Sequence, residues 1–180
     1  MNFNEAVATR RSVRVFDSNK KITKEQISDL IRCAQQAPSW KNSQTGRYYA
    51  IFNKNKLQEI RQCLALQNQI VTKDVNVLLI TTFLKNLSGF DKNGTPENEL
   101  GNGWGCYDLG LQNAFLILKA TDLGFDSIIL GLRDGEALRK ALNIPETEDI
   151  VAVIALGYRN TSEIKSPRRK DINDILTVIE

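Results

Sequence analysis

The sequence alternates between segments with helical periodicity and short apolar runs, and this alternation constrains the fold more than any other feature. Over residues 23–37 the apolar residues recur every three or four positions, a capping-box pair stands at the start, and Pro38 ends the run. Residues 106–123 repeat this pattern, and Gly124 stands where a helix C-terminus favours glycine. The runs between the helical segments are rich in the β-branched and aromatic residues of strands. The chain is therefore predicted to mix α-helices and β-strands.

The remaining segments are assigned in the same way. The predicted strands cover residues 47–52, 75–83, 126–130 and 150–156. A short helix is predicted before residue 10, and two more over residues 55–70 and 135–142. Apolar residues make up 42% and charged residues 25% of the chain, as in ordinary globular proteins. Since no linker or internal repeat divides the sequence, we expect one domain over residues 1–180.

Histidine is absent, and this excludes whole classes of catalytic site. A Ser-His-Asp triad, a Cys-His nucleophile and a histidine-based zinc site all need an imidazole. The three cysteines, Cys33, Cys63 and Cys106, lack CxxC spacing, and we interpret them as buried small hydrophobic residues. No metal site is predicted, and any catalytic chemistry must depend on groups other than histidine and a metal ion.

Net charge and hydropathy narrow the class of partner. The formal net charge is +3, which is too small to demand a nucleic-acid ligand. No stretch approaches the roughly 18 apolar residues of a membrane helix, and the N-terminal segment lacks the apolar core of a signal peptide. We therefore expect a cytoplasmic protein with no nucleic-acid or membrane partner.

Two arginine clusters stand out against this mild overall charge. The first places three guanidinium groups and a hydroxyl within five positions, at Arg10, Arg11, Ser12 and Arg14. The second is the pair Arg168 and Arg169. Guanidinium groups in such numbers are suited to holding a phosphate through charge-assisted hydrogen bonds. The alternative is a solvated basic face, because charged runs usually point into water.

The residues that follow the helix at 23–37 form a polar loop. Pro38 ends the helix, and Ser39, Trp40 and Asn42 supply hydrogen-bonding groups and a flat ring directly after it. These side chains are suited to lining a polar, flat-walled pocket. The alternative is a capped helix end and turn, which Pro, Ser and Asn ordinarily mark.

Two longer segments have little periodicity. Residues 84–105 form a connection longer than most in compact domains, and we interpret them as a lid-like loop, with a disordered surface loop as the alternative. Residues 158–180 turn polar and basic and then end in an apolar stretch for which the core of one chain has no obvious place. We interpret this second segment as an arm that packs elsewhere.

The first arginine cluster and the polar loop together resemble the N-terminal signature of the nitroreductase family of flavin enzymes. The signature is RRSVRVF at residues 10–16, followed by APSWKNSQ at residues 37–44. The resemblance continues to the basic tail at residues 167–176 and covers nearly the whole chain. One difference is the sequence NSQTG at residues 42–46, where many relatives have N-x-Q-P-W.

The resemblance implies an α+β fold with a central, mostly antiparallel sheet flanked by helices. It implies a homodimer that binds one FMN in each of two interfacial clefts and exchanges its C-terminal arm, with residues 171–179 adding a strand to the partner's sheet. The implied reaction is ping-pong transfer of two electrons from NADH or NADPH, through flavin N5, to a nitroaromatic, a quinone or a similar oxidant.

The resemblance also implies which residues bind FMN. The phosphate is expected on Arg10, Ser12 and Arg169, with Arg11 and Arg168 adjacent. Arg14 is expected near the pyrimidine edge of the ring, as an electrostatic residue, and no side chain is expected to act as a general base. The partner chain is expected to contribute four residues of the polar loop, namely Pro38, Ser39, Trp40 and Asn42.

The ring itself is expected to meet two further segments. Asn68 resembles the amide that hydrogen-bonds the ring, and Leu130 and Gly131 resemble the segment whose backbone N–H faces N5. Relatives of this architecture also perform dehalogenation, flavin fragmentation or dehydrogenation, so these reactions stay open. A non-enzymatic flavin-binding or nucleotide-binding protein is a further alternative.

Overall fold

The computed structural model describes residues 1–161 and 164–180. Within this part, six α-helices are present: α1 (Phe3–Thr9), α2 (Lys24–Ala34), α3 (Lys54–Gln62), α4 (Leu66–Thr72), α5 (Gly103–Asp122) and α6 (Gly135–Leu142). Four strands are present in the same residues: β1 (Gly46–Ile51), β2 (Val77–Leu84), β3 (Asp126–Leu130) and β4 (Glu148–Gly157). No helix among them is both long enough and apolar enough to cross a membrane.

The four strands form one antiparallel sheet in the order β1-β2-β4-β3. Helices cover both faces, because alternate residues of β2 join two separate apolar clusters. Val77 and Leu79 pack with α2 and α5, whereas Leu78 and Ile80 pack with α3, α4 and α6. A strand buried on both faces has no polar alternation, which explains the continuous apolar run in this part of the sequence. The predicted antiparallel sheet flanked by helices is confirmed.

Local sequence signals set most of the element boundaries. At the start of α2, Thr23 and Gln26 form the predicted capping box, each accepting from the other's backbone N–H. At the end of α5, Gly124 has a φ of 79°, as predicted for its position. The single helix predicted over residues 55–70 is wrong, because α3 ends at Gln62 and α4 begins at Leu66.

The break between α3 and α4 has a tertiary cause. The Cys63 carbonyl accepts from the N–H of Asp134 at 2.7 Å, and Leu64 pairs through its backbone with Arg133. These two backbone contacts replace helical hydrogen bonds. The residues at this break therefore hold the segment that follows β3 in place. That segment forms one part of the candidate site.

The cysteines differ in exposure. Cys63 is buried in the core, Cys33 is half-buried, and Cys106 is exposed on α5. Burial raises the pKa of the Cys63 thiol above its ordinary value. The interpretation of all three as buried residues is therefore wrong for Cys106.

The N-terminal segment covers one edge of the sheet. Ser12 and Val13 pair with Ser127 of β3, where the Val13 N–H donates to the Ser127 carbonyl at 3.0 Å, and residues 15–17 pair with residues 158–160, which follow β4. Val13 and Phe16 are both buried in the core. Their burial anchors the RRSVRVF segment and leaves its polar residues outside. The opposite edge, formed by β1, has no neighbouring strand within the described residues.

Gly105 is required where α5 crosses the sheet. A Cβ at this position would lie 2.2 Å from the ring of Phe83, which is buried. We expect Gly105→Ala to lower the free energy of unfolding by about 2 kcal/mol, because neither the ring nor the helix backbone has room to move. Urea unfolding measures this. Gly103→Ala is the matched control, since its Cβ would meet Leu100 at an ordinary 3.5 Å, and an equal loss in both variants would contradict the explanation.

Candidate functional site

The first arginine cluster lies between the end of α1 and the edge of β3. Ser12 and Arg14 are exposed and Arg10 is half-buried, while Val13 between them points into the core. Arg11 differs from its neighbours, because its Nη1 donates to the carbonyls of Ala8 and Arg10, each at 2.7 Å. The Arg11 guanidinium therefore caps the C-terminal end of α1, where a cation is favourable.

The predicted phosphate-binding arginines share an electrostatic property. The arginine ion pairs formed in residues 1–161 and 164–180 belong to Arg32, Arg139 and Arg159. Arg159 shows the contrast, because its Nη2 lies 2.5 Å from the Asp126 carboxylate, and this bond raises the pKa of the guanidinium. The members of the two arginine clusters thus carry no carboxylate partner in the described chain: Arg10, Arg11, Arg14, Arg168 and Arg169.

Asn68 and the segment after β3 come together. The Asn68 Nδ2 donates to the carbonyl of Leu132 at 3.1 Å, and the N–H of Ala65 donates to the same carbonyl at 3.2 Å. Leu130 is buried at the end of β3, and Gly131 faces open space, with no atom within 4 Å of where a Cβ would lie. Since Ser127 pairs with Ser12, β3 also connects this group to the first arginine cluster.

The polar loop has a strained backbone. Lys41, Asn42 and Gln44 have φ angles of 46°, 56° and 49°, which place three residues other than glycine in the left-handed region. Each such position costs about 1 kcal/mol or more, although asparagine tolerates it better than lysine or glutamine. The Ser39 Oγ accepts from the N–H of Gln44 at 3.1 Å and holds the loop closed. Strain of this kind persists only where surrounding contacts enforce it.

The contacts that enforce this loop come from the stretch of chain around α5. The Trp40 N–H donates to Asp108 Oδ2 at 3.0 Å, and the Trp40 Nε1 donates to Glu97 Oε2 at 3.2 Å. The Trp40 and Trp104 rings lie 4.5 Å apart between centroids. Neither Glu97 nor Asp108 was predicted from the sequence to be a site residue. The sequence did contain a signal for Asp108. It is a carboxylate on the side of α5 that also carries the buried residues Leu109 and Gln112.

The long connection between β2 and α5 is held by its own hydrogen bonds. Asn86 and Asn102 bond each other, with the Asn86 N–H donating to Asn102 Oδ1 at 2.7 Å. The Trp104 Nε1 donates to Asn98 Oδ1 at 2.9 Å. Residues 85–102 therefore form a connection with internal hydrogen bonds, and their role as a lid-like loop stays a prediction.

Other predicted site residues stay apart in the single chain. The polar loop, which includes Pro38, directly precedes β1 and binds the 85–102 connection and α5 through Trp40, whereas the first arginine cluster adjoins β3, the opposite edge strand of the sheet. Arg168 and Arg169 are exposed in the C-terminal segment. Three surface pockets among the described residues, of 270, 320 and 600 Å³, are lined by none of the predicted site residues. The described chain thus carries the predicted flavin-binding residues in three separate places: the β3 edge of the sheet, the polar loop and the C-terminal segment.

The predicted arm begins later than residue 158. Tyr158 packs edge-on against Phe125 at 5.3 Å between ring centroids, and Arg159 binds Asp126, so both belong to the body of the chain. Residues 162 and 163 of the predicted arm lie outside the described part. From residue 165 onward every residue is exposed, including five large apolar ones: Ile172, Ile175, Leu176, Val178 and Ile179.

The fold and the site define an α+β protein with an antiparallel sheet, helices on both sheet faces and an arginine cluster without carboxylate partners at one edge. The model of the nitroreductase family matches residues 7–158 of this sequence. The chain belongs to the nitroreductase family.

Individual relatives are distant but cover the chain. The protein of Bacillus subtilis that carries the name NAD(P)H nitroreductase MhqN is 25% identical over 97% of this chain and 97% of its own. Iodotyrosine deiodinase of Danio rerio is 27% identical over 94% of this chain and 64% of its own. A nitroreductase of Exiguobacterium sibiricum, solved in complex with FMN, has a TM-score of 0.86 at 22% identity and aligns over 98% of this chain and 97% of its own.

Proposed function

We propose that this protein is an FMN-dependent oxidoreductase that passes two electrons from NADH or NADPH to a nitroaromatic, a quinone or a similar acceptor, and that it works as a homodimer. Family membership supports the class of enzyme. The names of the Bacillus subtilis and Exiguobacterium sibiricum proteins support the donor and the cofactor. The observation that carries the proposal is the arginine set without carboxylate partners.

The residues present fit the phosphate of FMN. Arg10, Ser12 and Arg169 hold it in this proposal, with Arg168 adjacent. Donors that are exposed or half-buried and have no ion-pair partner among the described residues can bind an anion, and each hydrogen bond to a charged group contributes about 1.5–3 kcal/mol. Arg11 contributes mainly its charge, because its Nη1 already donates to two carbonyls of α1.

The residues also fit a flat ring. Asn68 and the 130–132 segment form one group, and the open space beside Gly131 lets a ring approach the backbone. When bound, FMN supplies the transfer of an electron pair between the nicotinamide and the acceptor. Arg14 places a fixed positive charge that stabilises the negative charge of the reduced state. No side chain has to act as a general base, which suits a chain without histidine.

In this proposal the polar loop belongs to the flavin site of the other copy of the chain in the dimer. Pro38, Ser39, Trp40 and Asn42 contribute to the partner's flavin site in this proposal. The positions of the polar loop and the first arginine cluster at opposite edge strands of one chain's sheet support this assignment. The exposed apolar residues of the C-terminal segment support an arm that packs on the partner.

The absorption spectrum of the purified protein tests this proposal. We expect the protein to be yellow, or to become so on addition of FMN, and to be reduced by NADH or NADPH under anaerobic conditions. Reoxidation by added nitroaromatics or quinones identifies the acceptor class. A colourless protein that fails to take up FMN contradicts the proposal.

Reductive dehalogenation is the second candidate, because the match to iodotyrosine deiodinase covers 94% of this chain. The test is to add an iodinated phenol to the reduced protein and to measure iodide release. Reoxidation by the phenol with release of iodide favours dehalogenation. Reoxidation by nitroaromatics alone favours the first candidate.

A further inference from the structure

The strained polar loop and the 85–102 connection are fastened together by side chains that the proposed function does not use. Two carboxylates form this fastening, Glu97 from the connection and Asp108 from α5. Both bind the same residue, Trp40, one through the indole and the other through the backbone N–H. We refer to Glu97, Asp108 and Trp40 as the latch.

Glu97 binds two consecutive residues of the loop. One carboxylate oxygen accepts from the Trp40 Nε1 at 3.2 Å, and both oxygens lie 2.6 Å from the Lys41 Nζ. Its own N–H donates to the carbonyl of Gly89 at 2.8 Å, so the carboxylate projects from a fixed backbone. Lys41 is the first of the three left-handed residues. Glu97 therefore acts at the point where the strain begins.

Asp108 is a buried carboxylate, 2% exposed, and its Oδ2 accepts from two donors. One donor is the Trp40 N–H at 3.0 Å and the other is the Ser88 hydroxyl at 2.5 Å. No lysine or arginine of the described residues forms an ion pair with it. A carboxylate is costly to bury and keeps its place only where hydrogen bonds compensate. Asp108 thus joins the loop and the connection through one oxygen atom.

We propose that Glu97 and Asp108 are positioning residues that hold the polar loop in its strained conformation and make the loop and the 85–102 connection move as one unit. The proposal rests on the proposed function, because the strained conformation of the loop serves flavin binding only if the loop forms part of the partner's flavin site. Holding a binding loop in its bound conformation removes an ordering cost from ligand binding. Without the latch, the left-handed residues relax to the ordinary backbone regions.

The test compares Glu97→Ala with Glu99→Ala in the full-length protein. Glu99 is an exposed carboxylate of the same connection that makes no ion pair among the described residues, so it is a matched control. Hydrogen–deuterium exchange reports on the backbone of both segments. We expect Glu97→Ala to speed exchange in residues 39–44 and in residues 85–102 together, and Glu99→Ala to change neither. Faster exchange in only one segment, or in neither, overturns the coupling.

Tryptophan fluorescence gives a second readout. The chain has two tryptophans, Trp40 and Trp104, and both lie at the latch. We expect their emission and their accessibility to acrylamide to change in Glu97→Ala. Glu97→Gln is expected to give a smaller change, because an amide oxygen still accepts from the indole but no longer attracts Lys41. Unchanged spectra in Glu97→Ala contradict the latch.

The affinity for FMN distinguishes a failure of this proposal from a failure of the proposed function. We expect the Kd for FMN to rise about tenfold in Glu97→Ala. We expect the same rise in Ser88→Ala, because Ser88 and Trp40 donate to the same oxygen of Asp108. Normal FMN affinity in both variants overturns the positioning role while leaving the proposed function intact. If the native protein binds no FMN, the proposed function fails, and the exchange and fluorescence results still decide whether the latch exists.

Discussion

The double variant Arg10→Ala, Arg169→Ala is expected to lose its bound FMN. Each guanidinium that bonds the phosphate contributes about 1.5–3 kcal/mol, so each single variant should raise the Kd by about tenfold to a hundredfold. The double variant should then lose affinity by about a hundredfold or more. Fluorescence titration of FMN at fixed ionic strength measures this, and the loss should shrink at high salt because exposed charges are screened.

Arg32→Ala is the matched control for this experiment. Arg32 is an exposed arginine of α2 whose Nη1 lies 2.5 Å from the Asp29 carboxylate, so its removal lowers the net charge by one, as each single variant does, without touching either arginine cluster. The control should bind FMN normally. If the double variant also binds FMN with native affinity, the convergence of Arg10 and Arg169 on one phosphate is wrong.

Elements with complete local signals could be predicted from the sequence. The helix α2 has a capping box and regular apolar spacing, which act within a few residues of one another, although it ends at Ala34, three residues before the predicted end and four before Pro38. The first arginine cluster is a similar case, because Val13 is buried in the core while Ser12 and Arg14 on either side of it are exposed. Patterns of this kind need no knowledge of the rest of the chain.

The division of α3 from α4 could not be predicted in this way. Leu57, Ile60 and Leu64 keep helical spacing across the break, and all three are buried. The helix ends because Cys63 and Leu64 pair with the backbone of residues 133 and 134, about seventy positions later in the sequence. Tertiary hydrogen bonds of this kind leave no mark in local periodicity.

The candidate site was predictable only in part for a related reason. The arginine clusters, Asn68 and Gly131 lie in motifs that the family resemblance identifies. Glu97 and Asp108 act through Trp40, and their roles depend on how a long connection folds back onto the loop. A carboxylate on the apolar side of α5 was a visible anomaly, but only the fold shows which donors it meets.

Truncation of the chain after Lys170 is expected to weaken the dimer and release FMN together. The removed segment carries the five exposed apolar residues, and burying each one on a partner contributes about 1.5–3 kcal/mol. After the cost of ordering the arm, we expect a net loss of about 4 kcal/mol, or about a thousandfold in the dimer Kd. Analytical ultracentrifugation and the flavin absorbance of the same samples measure both effects.

The sheet indicates where the arm would bind. Ser12 and Val13 already pair with Ser127 at the outer edge of β3, whereas the outer edge of β1 has no neighbouring strand in the described chain. An exposed edge pairs readily with an added strand, so we expect the partner's arm to use the edge of β1. Truncation should therefore also speed hydrogen exchange in β1 but not in β3. The double variant Ile175→Ser, Leu176→Ser should reproduce the dissociation with the full chain present, whereas Thr177→Ser should not. A truncated protein that stays dimeric and yellow, with β1 still protected, would show that the arm has no part in the interface.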